Sequence, residues 1–212
     1  MTWLSYFSPL TLYKSKSKLG TLIEVREVLG LRKMDLDGYP QSNDTYRRYW
    51  KRILKKYIVG RQESGRALVL GLGGGDLAKI ITRLLPQWHA TYVEIDAEVA
   101  NVARDYFGID QTKNLKIVVA DAKKYMAANH SKYDLVIIDL YSGDKIPHFV
   151  SQTPFLHQIK RSLSPGQDAI FNYASHSFGE DDFVNFGQKL SSCFGSMARL
   201  TTGGHNFYLV RG

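Results

Sequence analysis

Three carboxylate side chains stand directly after apolar runs of the sequence: Glu94 after ATYV, Asp121 after LKIVVA and Asp139 after YDLVII. Such runs are typical of parallel strands, whose carboxyl ends meet at the ligand-binding edge of an open α/β sheet. Glu94 follows a glycine-rich turn by about 20 residues, the spacing at which an acidic side chain accepts hydrogen bonds from both ribose hydroxyls. Asp121 stands where it can receive an adenine amino group. Together these strand ends predict a nucleoside site.

The glycine-rich turn runs from Leu68 to Asp76 and joins an apolar run to a helix-like stretch. Its backbone can approach a ligand closely, because four positions carry no side chain: Gly71, Gly73, Gly74 and Gly75. Turns of this type serve dinucleotides and adenosylmethionine alike, and a purely structural turn is the alternative. The acidic strand ends that follow favour nucleoside binding.

Asp139 is the candidate for the chemical step, since its carboxylate would lie over the reactive centre of a bound nucleoside. It could act there as the general base for an attacking amine, or stabilise the ammonium precursor of that amine. The alternative is an aspartate that caps a loop. Tyr141 is a second catalytic candidate, although an aromatic ring at that position could equally serve packing.

The elements that must position these residues alternate from Ala67 onward as strands and helices, the pattern of a parallel sheet. The predicted strands are 67–72, 90–96, 115–121, 133–140 and 168–174. The predicted helices are 77–85, 98–107, 122–129, 154–163 and 181–194. Two further strands, SMARLTT and HNFYLVRG, flank Gly203-Gly204 and would form an antiparallel pair at the sheet edge. The predicted fold class is therefore α/β, with a Rossmann-like, mostly parallel sheet of seven strands.

The N-terminal region, residues 1–43, is predicted to form a small β-hairpin from TLIEVREVLG and LRKMDLDG. The nucleoside-binding domain would then span 44–212 and begin with an amphipathic helix capped by Asp44. One face of this helix is aromatic and aliphatic, and the other is basic: Arg47, Arg48, Lys51, Arg52, Lys55 and Lys56. A solvated surface is the favoured interpretation of the basic face. Contact with nucleic acid, an anionic membrane, an acidic substrate or a partner subunit is less favoured.

Composition limits the class of protein. The net charge of +8 lies entirely in the N-terminal third, because residues 1–66 hold 14 Lys and Arg against 6 Asp and Glu. The single Cys193 excludes a disulfide framework and is expected to be a packed, unreactive side chain. No apolar run is long enough to cross a bilayer, so a cytoplasmic location is expected. The six histidines show no spacing typical of metal ligands, so no metal is predicted.

Several segments together resemble the spermidine synthase family of polyamine aminopropyltransferases. They are LDGYPQ at 36–41, the glycine turn, YVEID, VVADA, YDLVIIDLYS and FLHQIKRSLSPGQ, in matching order and spacing. The resemblance implies S-adenosylmethionine or its decarboxylated form as cofactor, a small-molecule acceptor such as an amine, and a homodimer contact. It places Glu94 on the ribose, Asp121 and Ala122 at the adenine, and Asp139 at the acid/base position. Gln41 would line the nucleoside pocket, and Tyr46 or Tyr49 the acceptor pocket.

Departures from the family pattern bear on the acceptor. Gly74 stands where the family's GGGDGG motif has the aspartate that meets the aminopropyl end of the cofactor, and Asp76 lies two residues further on. Ser142 replaces the aspartate that holds the diamine, and Asp144 could substitute only with a different loop bend. Because a diamine is a dication, losing these carboxylates argues against it.

The favoured function is therefore methyl transfer, with Gly74 leaving room for the carboxylate of intact adenosylmethionine. One alternative is aminopropyl transfer, in which Asp76, Asp139 and Asp144 rebuild an acidic pocket. The other alternative is a nonenzymatic module that binds a nucleoside and docks a partner.

Overall fold

A computed structural model describes residues 3–42, 44–58, 62–109, 114–143, 145–173, 180–202 and 205–212. The N-terminal region forms an antiparallel sheet of four strands in chain order: β1 (Leu10–Lys16), β2 (Leu22–Val28), β3 (Leu31–Leu36) and β4 (Tyr39–Ser42). The predicted hairpin is the central pair, β2 and β3. Strands β1 and β4 were not predicted, and they turn the hairpin into a small sheet.

The large sheet has seven strands in the order β10-β11-β9-β8-β5-β6-β7, which confirms the predicted α/β class. Its strands are β5 (Arg66–Leu70), β6 (His89–Glu94), β7 (Leu115–Val119), β8 (Tyr133–Ile138), β9 (Leu163–Asn172), β10 (Met197–Thr202) and β11 (His205–Arg211). Strands β5 to β9 pair in parallel, whereas β11 runs antiparallel to β9 and β10 antiparallel to β11. The predicted antiparallel edge pair is thus confirmed.

Six α-helices accompany the strands in the described part of the chain. They are α1 (Asp44–Ile58), α2 (Asp76–Leu84), α3 (Ala97–Phe107), α4 (Ala122–Ala128), α5 (Thr153–Ser162) and α6 (Glu180–Phe194). Strands β5 to β9 end before their predicted bounds, and in the described part of the chain the residues that follow each strand form loops at the carboxyl edge of the sheet. Strand β9 begins at Leu163, earlier than predicted, directly after α5.

Both faces of the large sheet are covered, which explains the continuous apolar runs. Along β5, Ala67 and Val69 face a cluster that includes α1, α2, α3 and the N-terminal sheet, while Leu68 and Leu70 face α4, α5 and α6. Helix α1 buries its apolar side, and the Trp50 ring lies 4.9 Å from that of Phe207 between centroids. Its basic side chains are exposed, except for the half-buried Arg47.

The N-terminal sheet packs directly on the large domain. Buried Ile23, Val25 and Met34 belong to the same hydrophobic cluster as the first face of the large sheet. Tyr13 donates a hydrogen bond to Glu98 on α3, and the Arg32 guanidinium donates to the main-chain carbonyl oxygen of Tyr106 at 2.6 Å. These contacts hold the N-terminal sheet against α3 and the core of the large domain. The division of the chain at residue 43 stays a prediction.

Candidate active site

Two adjoining cavities open at the carboxyl edge of the parallel strands, with volumes of about 310 and 280 Å³. They are called here the larger and the smaller cavity. Seven residues line both of them: Gln41, Gly71, Leu72, Gly73, Asp139, Tyr141 and Gly143. This shared wall brings the glycine turn, the end of β8 and strand β4 together, so a ligand in one cavity lies next to a ligand in the other.

Glu94 lines the larger cavity at the end of β6. Its two carboxylate oxygens accept hydrogen bonds from the main-chain N–H groups of Leu72 and Asp96, each at 3.1 Å. Burial raises the pKa of Glu94, and these two hydrogen bonds oppose the rise. The carboxylate is therefore held in one orientation between the glycine turn and the start of α3, at the wall of the larger cavity.

Asp121 and Ala122 also line the larger cavity, at the junction of β7 and α4. One oxygen of the Asp121 carboxylate accepts a hydrogen bond from the main-chain N–H of Lys124 at 2.8 Å, which caps α4. The cap fixes the direction of the side chain at the cavity wall. Ala122 is buried directly behind it.

Gly71 is required by the close approach of two strand ends. Its φ of +100° is unfavourable for a residue with a side chain, and a Cβ atom there would overlap the main-chain carbonyl oxygen of Asp139. The absence of a side chain lets the turn contact the end of β8. Gly71 thereby sets the position of Asp139 at the shared wall.

Gly74, Gly75 and Asp76 were predicted to meet the cofactor, but they lie outside the lining of both cavities. A Cβ atom on Gly74 would lie 2.5 Å from that of Ser42, so strand β4 fills the space beside it. Strand β4 therefore occupies the space on the Cβ side of Gly74, and a cofactor carboxylate beside Gly74 stays a prediction.

Asp76 is buried and turned away from the cavities. Its carboxylate accepts a hydrogen bond from Ser42 Oγ at 2.9 Å and one from Arg47 Nε at 3.1 Å. Arg47 therefore neutralises the charge of Asp76 from the first turn of α1. Asp76 ties α1 and β4 to the glycine turn and does not present a free carboxylate to a ligand.

Asp139 lies between the two cavities. One of its carboxylate oxygens accepts a hydrogen bond from the side-chain amide of Asn172 at 2.7 Å, and the side chain of Trp50 is a second partner. Burial raises the pKa of Asp139 to about 6, while the bonds to Asn172 and Trp50 act in the opposite direction. A carboxylate with this pKa is ionised at neutral pH and still basic enough to take a proton from a reacting group.

The smaller cavity is lined by aromatic and amide side chains. Besides the shared wall, its lining consists of Tyr39, Pro40, Tyr46 and Asn172. Tyr49 does not line it, and its ring packs on His205 at 5.6 Å between centroids. Among the described residues, Asp139 is the one carboxylate in this lining.

The loop after β8 contributes to both cavities. Tyr141 lines both, and its hydroxyl group lies 3.5 Å from the main-chain carbonyl oxygen of Asn172. Ser142 lines the larger cavity and is not part of the smaller one, and its main-chain N–H donates to the carbonyl of Lys145 at 2.7 Å. Asp144 lies outside the described residues.

Asn172 was missed as a site residue by the sequence analysis, although it lies at the end of the fifth predicted strand. The signal that could have identified it is the one used for the carboxylates, a polar residue after an apolar run at the carboxyl edge.

Neither a metal site nor a membrane-spanning helix is found in the ranges that the structure describes. No three His, Cys, Asp or Glu side chains gather there as metal ligands would. No helix there combines the length and the apolar character needed to span a bilayer. The absence of a metal cofactor stays a prediction.

Comparison with known proteins agrees with the sequence resemblance. Residues 56–202 match the family model of the spermine/spermidine synthase domain. The chain is 31% identical over 136 residues to a probable polyamine aminopropyl transferase of Bifidobacterium longum, an alignment covering 64% of this chain and 30% of that protein. It is 33% identical over 135 residues to a human eEF1A lysine and N-terminal methyltransferase, covering 58% of this chain and 19% of that protein.

A solved structure shows the same fold. A probable spermidine synthase from Corynebacterium glutamicum superposes with a TM-score of 0.81 at 20% identity, over 94% of this chain and 79% of that chain. The chain therefore spans most of that structure but less than a third of the length of the two relatives above. With the family model matching more than half of its residues, this chain belongs to the spermine/spermidine synthase family.

Proposed function

We propose that this chain is a group transferase that binds an adenosylmethionine-type sulfonium nucleoside in the larger cavity and an acceptor in the smaller one. Glu94 and Asp121 supply the larger cavity with acceptors suited to ribose hydroxyls and an adenine amino group. Asp139 lines both cavities and so would lie between the two reactants. This placement of one basic carboxylate is the main support for transfer as opposed to nucleoside binding alone.

The reaction would be an in-line displacement. The lone pair of the acceptor nucleophile forms a bond to a carbon attached to the sulfonium, and the electron pair of the broken C–S bond goes to sulfur, which becomes a neutral thioether. The proton lost from an attacking amine would pass to Asp139, which is ionised at neutral pH. The protein contributes positioning and this base, since the sulfonium carries its own leaving group.

Methyl transfer is the favoured form of this reaction, because the smaller cavity holds a single carboxylate among the described residues. A diamine would need a second carboxylate for its distant ammonium group, since a buried unpaired charge is costly. Asp76 cannot serve, because Ser42 and Arg47 engage its carboxylate outside the cavity. The smaller cavity therefore suits an acceptor that carries one reacting nitrogen or an uncharged nucleophile.

Aminopropyl transfer from decarboxylated adenosylmethionine is the second candidate, and the family supports it. The family model is that of spermine and spermidine synthases, and the relative from Bifidobacterium longum is named a probable polyamine aminopropyl transferase. For aminopropyl transfer, the carboxylate of Asp144 would be needed in addition to that of Asp139 to bind both ammonium groups of a diamine.

Methyl transfer and aminopropyl transfer are distinguished by calorimetric titration of the protein with adenosylmethionine and, separately, with decarboxylated adenosylmethionine at matched salt and pH. We expect intact adenosylmethionine to bind at least as tightly as the decarboxylated form, because the carboxylate of Asp76 is engaged by Ser42 and Arg47 and does not repel the carboxylate of the cofactor. Glu94→Gln is expected to weaken both titrations at least about tenfold by removing ribose hydrogen bonds. The matched control is Glu24→Gln, a carboxylate on β2 paired with Lys14 away from both cavities.

Preference for the decarboxylated form would replace methyl transfer by aminopropyl transfer. Binding of neither form would overturn the assignment of the larger cavity to a sulfonium nucleoside. Binding without transfer to any amine or uncharged nucleophile tested would leave a nonenzymatic nucleoside-binding module.

A further inference from the structure

A series of two hydrogen bonds connects Asp139 to two buried side chains, those of Asn172 and His205. Asn172 is 7% exposed and His205 is 6% exposed. The amide nitrogen of Asn172 donates to Asp139 Oδ1 at 2.7 Å, and the amide oxygen of Asn172 lies 2.8 Å from Nε2 of His205. Asn172 thus contacts the proposed base with one end of its amide and a histidine with the other.

Strand pairing sets this arrangement. Asn172 is the last residue of β9, and His205 is the first residue of β11, which pairs with β9 so that Phe207 lies opposite Asn172. The main-chain N–H of Tyr173 also donates to the carbonyl of Asn206 at 3.0 Å. The two side chains are therefore held next to each other by the main-chain hydrogen bonds of adjacent strands.

The direction of the hydrogen bonds follows from the chemistry of the three groups. An ionised carboxylate only accepts, so Asn172 must present its NH₂ group to Asp139. Its carbonyl oxygen then faces His205, and Nε2 must carry a proton to donate to it. If His205 were protonated on Nδ1 alone, its Nε2 lone pair would face the amide oxygen of Asn172, and both atoms are acceptors. Rotation of the amide by 180° would then be favourable, because it would direct the NH₂ group to Nε2.

Aromatic rings restrict the imidazole of His205. Tyr46 lies 5.3 Å and Tyr49 5.6 Å from it between ring centroids, and Phe207 packs at 5.3 Å. Tyr46 also lines the smaller cavity. Rotation of the imidazole is therefore limited by rings from α1 and β11, and the donor atom stays directed at Asn172.

We infer that His205 is a positioning residue, whose Nε2–H holds the Asn172 amide in the one orientation that donates to Asp139. This role rests on the proposed function, in which Asp139 is the base. His205 touches neither cavity lining and acts only through Asn172. Loss of the donor would let the amide turn its oxygen toward Asp139, which disfavours the ionised carboxylate.

The test is an NMR titration of Asp139 in protein labelled with carboxyl-¹³C aspartate, without ligands, with Asp139→Asn used to assign the signal. Among the described residues, the charged and titratable groups around Asp139 include Asp76, which raises its pKa, Tyr46, whose own pKa Asp139 raises, and Tyr141, which lines both cavities with it. All three remain in the variants. His205→Phe keeps a ring but cannot donate, and we expect it to move the Asp139 midpoint up by about one pH unit. His205→Gln can still donate, and its midpoint is expected within about 0.3 of the wild type.

A midpoint unchanged in His205→Phe would overturn the inference. If that variant does not fold, ¹⁵N-histidine spectra of the wild-type protein decide the question. Protonation of Nε2 in the neutral imidazole supports the inference, and protonation of Nδ1 alone overturns it. Because neither measurement uses a cofactor or an acceptor, both outcomes are independent of the nucleoside titrations.

Discussion

At the scale of single residues, the burial that suits Asp139 to its proposed role as a base also lowers the stability of the fold at neutral pH. Its pKa of about 6 in the folded protein lies above the value of about 3.8 for a free aspartate. The folded state therefore binds this proton more tightly than the unfolded state. Its stabilising effect is complete below about pH 4 and is lost as the pH rises to about 6.

Asp139→Asn is expected to remove this pH dependence. Between pH 4 and pH 7.5 the wild-type free energy of unfolding should fall by about 2 kcal/mol more than that of the variant. Urea unfolding at the two pH values measures the difference. The control is Asp105→Asn, an exposed position on α3, which should follow the wild type. Parallel pH dependence of Asp139→Asn and wild type would contradict the assigned burial cost.

At the scale of elements, the glycines of the turn serve two purposes, lining a cavity and allowing close packing. The sequence pattern alone does not show which glycine serves which purpose. Gly71 and Gly73 line the cavities, whereas Gly75 serves packing, because a Cβ atom there would overlap the side chain of Ile109. Gly75 also has a φ of +75°. One part of the turn therefore faces the cavities, and the other packs the start of α2 against Ile109, beyond the end of α3.

Gly75→Ala and Gly166→Ala separate steric overlap from backbone strain. Gly166 has a φ of +71°, close to that of Gly75, but no atom lies within 4 Å of where its Cβ would be. Gly166→Ala is expected to cost about 1 kcal/mol from strain, and Gly75→Ala about 3 kcal/mol because overlap is added. Thermal unfolding of the two variants gives the comparison. Equal losses of stability would show that the Ile109 side chain moves aside freely.

Elements with a long apolar run were predictable, and short or exposed ones were not. The five parallel strands and their helices follow from local patterns, since burial on both faces imposes continuous apolar runs. Strand β4 has only four residues and includes Pro40, and β1 leaves several side chains exposed, so neither carries a strong local signal. Their pairing depends on contacts with distant strands.

Site residues whose direction depends on contacts with distant elements were likewise not predictable from local sequence. Glu94, Asp121 and Asp139 could be placed because each follows an apolar run of the sequence. The direction of Asp76 depends on Ser42 and Arg47, which belong to other elements, so its sequence position beside the turn was misleading.

At the scale of the whole molecule, the N-terminal sheet and the large domain share one hydrophobic core. Met34 of β3 is fully buried in the cluster that also contains Leu54 of α1 and Val69 of β5. A boundary at residue 43 would divide this cluster. We therefore expect the chain to unfold in one cooperative transition.

Met34→Ala is expected to lower the free energy of unfolding by about 2–4 kcal/mol while keeping a single transition. Tryptophan fluorescence and far-ultraviolet circular dichroism should report the same midpoint. Leu31→Ala, at a position that is 41% exposed on the same strand, is the control and should change stability much less. Two transitions, of which Met34→Ala shifts only one, would show that the boundary at residue 43 separates independent folding units.

Each cavity has lining residues that the other lacks, and this separation has an evolutionary consequence. The residues that line only the smaller cavity are contributed by β4, the first turn of α1 and the end of β9: Tyr39, Pro40, Tyr46 and Asn172. Glu94 and Asp121 belong to other strand ends and line only the larger cavity. In the proposed function, relatives of this chain could therefore exchange acceptors by changing a few positions in the smaller cavity while keeping the nucleoside site. The relatives named as an aminopropyl transferase and as a methyltransferase agree with such a separation.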